Sequence, residues 1–284
     1  MTTGRVIKNY NGYYYVRCGG GLTECRRRGR MKAKVVVGDI VEITELGNGK
    51  GVVEAVLPRR NALRRPAVAN IDQMVIIMAA RSPDPNRFLV DKMLMTCEYD
   101  HIHPKLCFNK CDLDRQQAER YAAFYRKCGY EVYLASAHSG EGLAALRAIL
   151  PRQMTAFAGP SGVGKSSLLA RLLGRSDLSV GAVSEKIGRG RHTTRHSEIM
   201  EFSPDTFVVD TPGFSALDFE HLAETEVIGL FPDLAAYAGQ CRFSSCRHLT
   251  EPDCSVKAAL ADGLIQPERY ETYCKIMTSL KERK

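Results

Sequence analysis

Gly159, Pro160, Ser161, Gly162, Val163, Gly164, Lys165, Ser166 and Ser167 stand between the apolar run Thr155 to Ala158 and the stretch Leu168-Leu-Ala-Arg-Leu-Leu173. A strand, a glycine-rich loop and an amphipathic helix in that order make the setting a phosphate-binding loop requires. Glycines let backbone N–H groups close on phosphate oxygens, and the helix N-terminus adds partial positive charge. Lys165 is then placed to reach the β- and γ-phosphates and Ser166 to hold Mg²⁺.

Two further motifs end in acids on apolar strands. Phe207-Val-Val-Asp210-Thr-Pro-Gly213 offers Asp210 to the Mg²⁺ shell and the side-chain-free Gly213, whose N–H can approach the γ-phosphate. Leu106-Cys-Phe-Asn109-Lys110-Cys111-Asp112 offers a carboxylate that can accept from guanine N1–H and N2–H₂ while the Lys110 stem packs along the ring. Adenine supplies no such pair of donors, so GTP is expected over ATP. Ser136 and Ala137, after the strand Glu131 to Leu134, are expected to bring a backbone N–H near guanine O6.

Cys241-x₄-Cys246-x-His248-x₅-Cys254 places three thiols and one imidazole in a short polar segment, a set suited to structural tetrahedral zinc; a redox or incidental cluster is the alternative. His101, His103, Cys107 and Cys111 also group loosely. The last two fall on the strand of the base-reading motif, so they read as core or incidental.

The elements that must carry these motifs come in an unusual order. Asn109 to Asp112 and Ser136-Ala137 precede Gly159, whereas GTPases commonly place the phosphate loop first. A circularly permuted domain opening on Gln73 to Met78 explains this, since permutation is tolerated where old ends were close. Upstream, Gly12 to Arg17, Lys34 to Val37, Asp39 to Thr44 and Gly51 to Leu57 read as short strands of a small oligonucleotide-binding barrel. Tyr13, Tyr14 and Tyr15 cannot all face outward from a strand, so at least one belongs to the core.

Charge is concentrated in that region. Residues 1–68 hold 14 basic and 5 acidic side chains, a net of +9, whereas the other 216 hold 26 and 27. Arg26, Arg27, Arg28, Arg30, Lys32, Lys34, Arg59, Arg60, Arg64 and Arg65 form a cluster that attracts polyanions, the alternative being a solvated face. The composition, 44% hydrophobic and 25% charged, excludes a disordered or low-complexity chain. The longest apolar run, Met74 to Ala80, is about a third of a membrane span, and a cytoplasmic location is expected.

Together these motifs resemble the bacterial ribosome small-subunit-dependent GTPase A family, over essentially the whole chain. The segment Gly188-Arg-Gly-Arg-His-Thr-Thr194 adds to the likeness. The resemblance implies a factor in late 30S maturation that binds ribosomal RNA, hydrolyses GTP to GDP and phosphate when the subunit stimulates it, and then leaves; nothing in the sequence demands more than a monomer. Phe214 follows Gly213 where many GTPases carry a water-orienting Gln. The resemblance points to His192 as the substitute, against an exposed or RNA-contacting His192. Thr193 or Thr194 is expected to supply the switch hydroxyl; Arg195 replaces a further Thr of the family.

The expected fold is multidomain α/β: an OB-fold RNA-binding barrel over 1–68, a circularly permuted P-loop GTPase domain over 69–226, and a zinc-binding helical domain over 227–284. A GTP-gated RNA-binding scaffold with little hydrolysis, or a GTPase acting on another polyanion, are the rival functions.

Overall fold

The structure, a computed structural model, describes residues 1–282 except 20, 30, 65, 175–198 and 212–221. Strands β1 (Thr2–Tyr10), β2 (Tyr13–Cys18), β3 (Gly21–Arg27), β4 (Ile40–Gly47) and β5 (Lys50–Val56) close into a barrel in the order β1-β2-β3-β5-β4. Only the β3–β5 pair is parallel. Alternation sends Val6, Val16, Cys25, Val41, Ile43 and Val53 inward, where they are fully buried. Tyr14 packs against this core. Tyr13 lies beneath the Arg26 guanidinium at 4.6 Å, and the Tyr15 hydroxyl donates to Glu24 at 3.2 Å.

Two barrel strands differ from the sequence expectation. Lys34 to Val37 is not a strand; beyond one parallel bridge from Val37 to Val68, it is folded around Asp39. That buried carboxylate accepts from the Val36 N–H at 2.8 Å and from Arg59 Nε at 2.6 Å. In its place β3 runs through Arg26 and Arg27, held because Thr23 and Cys25 on its other face are buried. β1 is also unforeseen: its polar residues pair with both β2 and β4, which closes the barrel.

A two-residue hairpin, β6 (Ala62–Leu63) and β7 (Val68–Ala69), leads into the central sheet. There follow β8 (Gln73–Ala79), α1 (Arg87–Tyr99), β9 (His103–Asn109), α2 (Arg115–Lys127), β10 (Glu131–Leu134), α3 (Leu143–Ala148), β11 (Met154–Ala158), α4 (Lys165–Leu172), β12 (Ile199–Ser203) and β13 (Thr206–Asp210). The sheet order is β10-β9-β8-β11-β13-β12, parallel except for β12. Every residue of β8 is buried, as a central parallel strand covered on both faces must be. Met74, Ile76 and Met78 face the core with α1 and α2; Val75, Ile77 and Ala79 face the one with α3 and α4.

The C-terminal part comprises α5 (Glu224–Val227), a 3₁₀ turn (Ile228–Leu230), α6 (Pro232–Ala238), α7 (Ser255–Ala261) and α8 (Pro267–Lys281). Met95 of α1 belongs to its core. Arg269 of α8, fully buried, bonds Asp91 of α1 at 2.8 Å and Asp233 of α6 at 3.0 Å. Among the described residues no helix is long and apolar enough to cross a membrane.

Candidate nucleotide site and metal centre

The loops after β8, β9, β10 and β11 and the end of β13 gather at the carboxyl edge of the parallel sheet, where α/β folds bind ligands. Between β11 and α4 the chain turns so tightly that a Cβ on Gly159 would lie 2.2 Å from the Ile77 carbonyl oxygen. A Cβ on Gly164 would lie 2.5 Å from Asn109 Nδ2. No side chain fits at either position, and Gly164, with φ 84°, opens α4. Val163 is buried in the core beneath the loop, Pro160, Ser166 and Ser167 are half-buried, and Ser161 is exposed.

Asn109 joins the motifs. Buried to 1% exposure, it donates from Nδ2 to the Val163 carbonyl at 2.8 Å and accepts on Oδ1 from the Ala137 N–H at 3.1 Å. Lys110, with φ 58°, donates to the Gly162 carbonyl at 2.7 Å and to the Ser82 carbonyl. Its stem thus spans from the base-reading motif to the phosphate loop. The Asp112 carboxylate is partly open to solvent, 4.0 Å from His138 Nδ1. Cys111 differs from its neighbours: its side chain is buried in the core and burial pushes its thiol pKa up, so only its backbone belongs to the motif. Ser136 is fully buried and its Oγ accepts from the Ser139 N–H at 3.0 Å.

Lys165 Nζ donates to Asp210 Oδ1, with both side chains nearly buried. Thr211 locks the end of β13 by donating from Oγ1 to the Phe157 carbonyl at 2.9 Å. Phosphate loop, Asp210, Asn109 to Asp112, Ser136 and Ala137 therefore share one cleft edge. His192, Thr193, Thr194 and Gly213 lie outside the described residues.

Sequence reasoning missed Ser82, Thr211 and Arg171. Ser82 and Thr211 act through a backbone acceptor or a hydroxyl that any strand end could carry. Arg171 reads as one more solvated helix charge, yet its guanidinium bonds the base-side loop.

In the C-terminal part, Cys241, Cys246, His248 and Cys254 bring their ligand atoms within 4.8 Å of one another. Cys241 Sγ lies 3.9 Å from Cys254 Sγ, and His248 Nδ1 lies 3.4 Å from each. Tetrahedral coordination with bonds of about 2.3 Å to sulfur sets ligand separations near 3.8 Å, so this cluster could hold one metal ion. Burial lowers the His248 pKa below the ordinary histidine value, favouring the neutral imidazole that ligates metals. The His248 carbonyl accepts from the Tyr270 hydroxyl at 2.6 Å and the Arg247 carbonyl from Tyr273 at 2.7 Å, which ties the cluster to α8.

Family models match two segments: RsgA GTPase over residues 56–220 and RsgA N-terminal domain over residues 3–53. The chain belongs to the RsgA GTPase family. It is 42% identical to the small ribosomal subunit biogenesis GTPase RsgA of Moorella thermoacetica, covering 99% of this chain and 98% of that one. It is also 42% identical to the RsgA of Agathobacter rectalis, covering 99% of each. Two solved structures share its fold: YloQ, described as a circularly permuted GTPase, at 34% identity and TM-score 0.85 over 100% of this chain and 96% of that one; and YjeQ from Thermotoga maritima, at 32% and 0.88 over 100% and 99%. Like its family, the chain is a GTP hydrolase, and its permuted sheet is the fold it shares with these two structures.

Proposed function

We propose that this RsgA-family GTPase acts in late maturation of the small ribosomal subunit. It binds the 30S subunit and its ribosomal RNA, the subunit stimulates GTP hydrolysis to GDP and phosphate, and hydrolysis drives release. The observation that carries the reading is the Asn109 bridge between the phosphate loop and the Ala137 segment, in a chain whose N-terminal barrel bears the basic excess. The relatives named for small-subunit biogenesis support the partner.

In this reading the barrel over 1–68 grips RNA, the domain over 69–226 binds and hydrolyses nucleotide, and 227–284 is a zinc-stapled helical unit. Lys165 neutralises the β- and γ-phosphates and the loop N–H groups cradle them; Ser166 with Asp210 would hold the Mg²⁺ that accompanies GTP, which would supply positive charge against the phosphates. Asp112 reads the guanine edge, with Lys110 along the ring. Gly213 senses the γ-phosphate, Thr193 or Thr194 completes the switch, and His192 orients the attacking water once the subunit orders its segment. Zinc is the metal of the Cys₃His centre, because three thiolates and one neutral imidazole suit its softness and geometry. The protein works in the cytoplasm as a monomer. Co-sedimentation with purified 30S subunits tests the partner: retention with a non-hydrolysable GTP analogue and release with GDP support it, and equal behaviour in both states contradicts it.

One observation favours a second reading. Phe214 stands where a water-orienting Gln is common, which suits a GTP-gated RNA-binding scaffold with slow intrinsic turnover.

A further inference from the structure

Arg171 lies on the last turn of α4 and reaches from the phosphate-loop helix to the base-side loop. Its Nε donates to the Ala137 carbonyl at 3.0 Å and its Nη2 to the His138 carbonyl at 2.8 Å. A planar guanidinium holding two successive carbonyls sets both the position and the tilt of the peptide between them, which a single ammonium charge does not. The helix end that carries Arg171 is itself anchored: Arg147 of α3 donates to the Arg171 carbonyl at 2.7 Å and to the Leu172 carbonyl at 3.2 Å.

The peptide between Ala137 and His138 is planar and trans, so the His138 N–H points away from the Ala137 carbonyl that Arg171 holds. The neighbouring amides are committed elsewhere. Ser136 donates to Glu141 at 3.0 Å and Gly140 to Ser136 at 2.9 Å, Ala137 to Asn109 at 3.1 Å, and Ser139 to Ser136 Oγ at 3.0 Å. Among the described residues, His138 is the member of this run whose N–H has no partner. The same residue's ring lies 4.0 Å from the Asp112 carboxylate.

We propose that Arg171 is a positioning residue for guanine recognition: by holding the Ala137 and His138 carbonyls it aims the His138 N–H at the 6-oxo group of the purine. The inference rests on the guanine-pocket reading above and assigns the O6 donor within it. Asn109 then fixes the loop from the strand side and Arg171 from the helix side. The two motifs that must meet guanine and phosphate are thereby held at one spacing.

The test uses the full-length, metal-loaded protein and compares steady-state turnover of GTP with that of 6-thio-GTP, whose sulfur is a weak acceptor at the same position. Arg171→Ala is expected to raise KM for GTP about five- to ten-fold, the scale of one or two charge-assisted hydrogen bonds at an exposed site, with kcat within about two-fold. It should also narrow the preference for GTP over 6-thio-GTP, and Arg171→Lys should recover part of that preference by holding one carbonyl. An equal rise in KM for both nucleotides, a fall in kcat instead, or no change at all overturns the assignment. Asp112→Asn separates the levels. If it relaxes the preference for GTP over ATP, which lacks the N1–H and N2–H₂ donors, while Arg171→Ala leaves the GTP to 6-thio-GTP ratio unchanged, only the Arg171 proposal falls; if it leaves the preference over ATP intact, the pocket reading fails and takes the proposal with it.

Discussion

Asn109 donates to the Val163 carbonyl at 2.8 Å across 54 residues of chain. Its other carboxamide atom holds the Ala137 N–H, so one buried side chain sets the distance between the phosphate loop and the base-side loop. A satisfied network of this kind rigidifies what it joins.

Removing that side chain should therefore damage affinity and stability together. Asn109→Ala leaves a buried carbonyl and a half-buried N–H without partners, a loss of about 1–3 kcal/mol, and should weaken GTP binding at least about ten-fold. Thermal unfolding and nucleotide titration check it. Unchanged GTP affinity would mean that the two loops hold their spacing without Asn109.

Lys165 and Asp210 pair at the cleft, both nearly buried. Lys165→Ala should abolish measurable phosphate release, to below about one-hundredth of the parent rate. Asp210→Asn should keep the fold and raise the Mg²⁺ concentration needed for turnover. A Lys165→Ala protein that still turns over normally would remove Lys165 from the phosphate site.

For the metal centre, Cys246→Ser should lower bound zinc and melting temperature in parallel, because a small unit held by a metal loses folding energy with its ligand. Metal analysis and calorimetry on the same preparations provide the check. Full stability without metal would make the Cys₃His cluster incidental.

A pH effect is expected from Asp100 at the C-terminal end of α1. Burial, only partly offset by Arg64 and His101, pushes its carboxyl up to about 6 from 3.8, and a helix C-terminus disfavours the anion further. Since the folded state holds this proton more tightly than the unfolded state, its contribution is complete below 3.8 and is lost as pH rises through about 6. The half-buried position limits the effect to about 1–2 kcal/mol. Denaturant unfolding across that window should show the decline in the parent and a flatter profile in Asp100→Asn. Identical profiles would contradict the linkage.

The site was legible where chemistry demands particular residues at short spacing. Gly159 to Ser167 and Asn109 to Asp112 stand out because a phosphate cradle and a purine reader would leave little choice of residue, and the Cys₃His cluster, which could hold a metal ion, shares that property. The strands of the central sheet were legible because β8, β11 and β13 are continuous apolar runs. What stayed hidden depends on partners distant in sequence. Arg269 looks like an ordinary helix cation, yet it is fully buried and joined to Asp91 across 178 residues. β3 was masked by Arg26 and Arg27, whose strand conformation comes from pairing with β2 and β5 rather than from local preference. Lys34 to Val37 showed the converse: a valine run diverted from pairing by the charge on Asp39 that its loop must satisfy.

The measurement that bears most directly on the account is phosphate release from GTP at one moderate salt concentration, alone and with purified small subunits, large subunits or bulk RNA. The account predicts stimulation of about ten-fold or more by small subunits alone, on the scale of trans-acting activation in other GTPases or below it. Equal, weak turnover in every mixture would contradict a subunit-activated GTPase and leave the nucleotide-gated scaffold in its place.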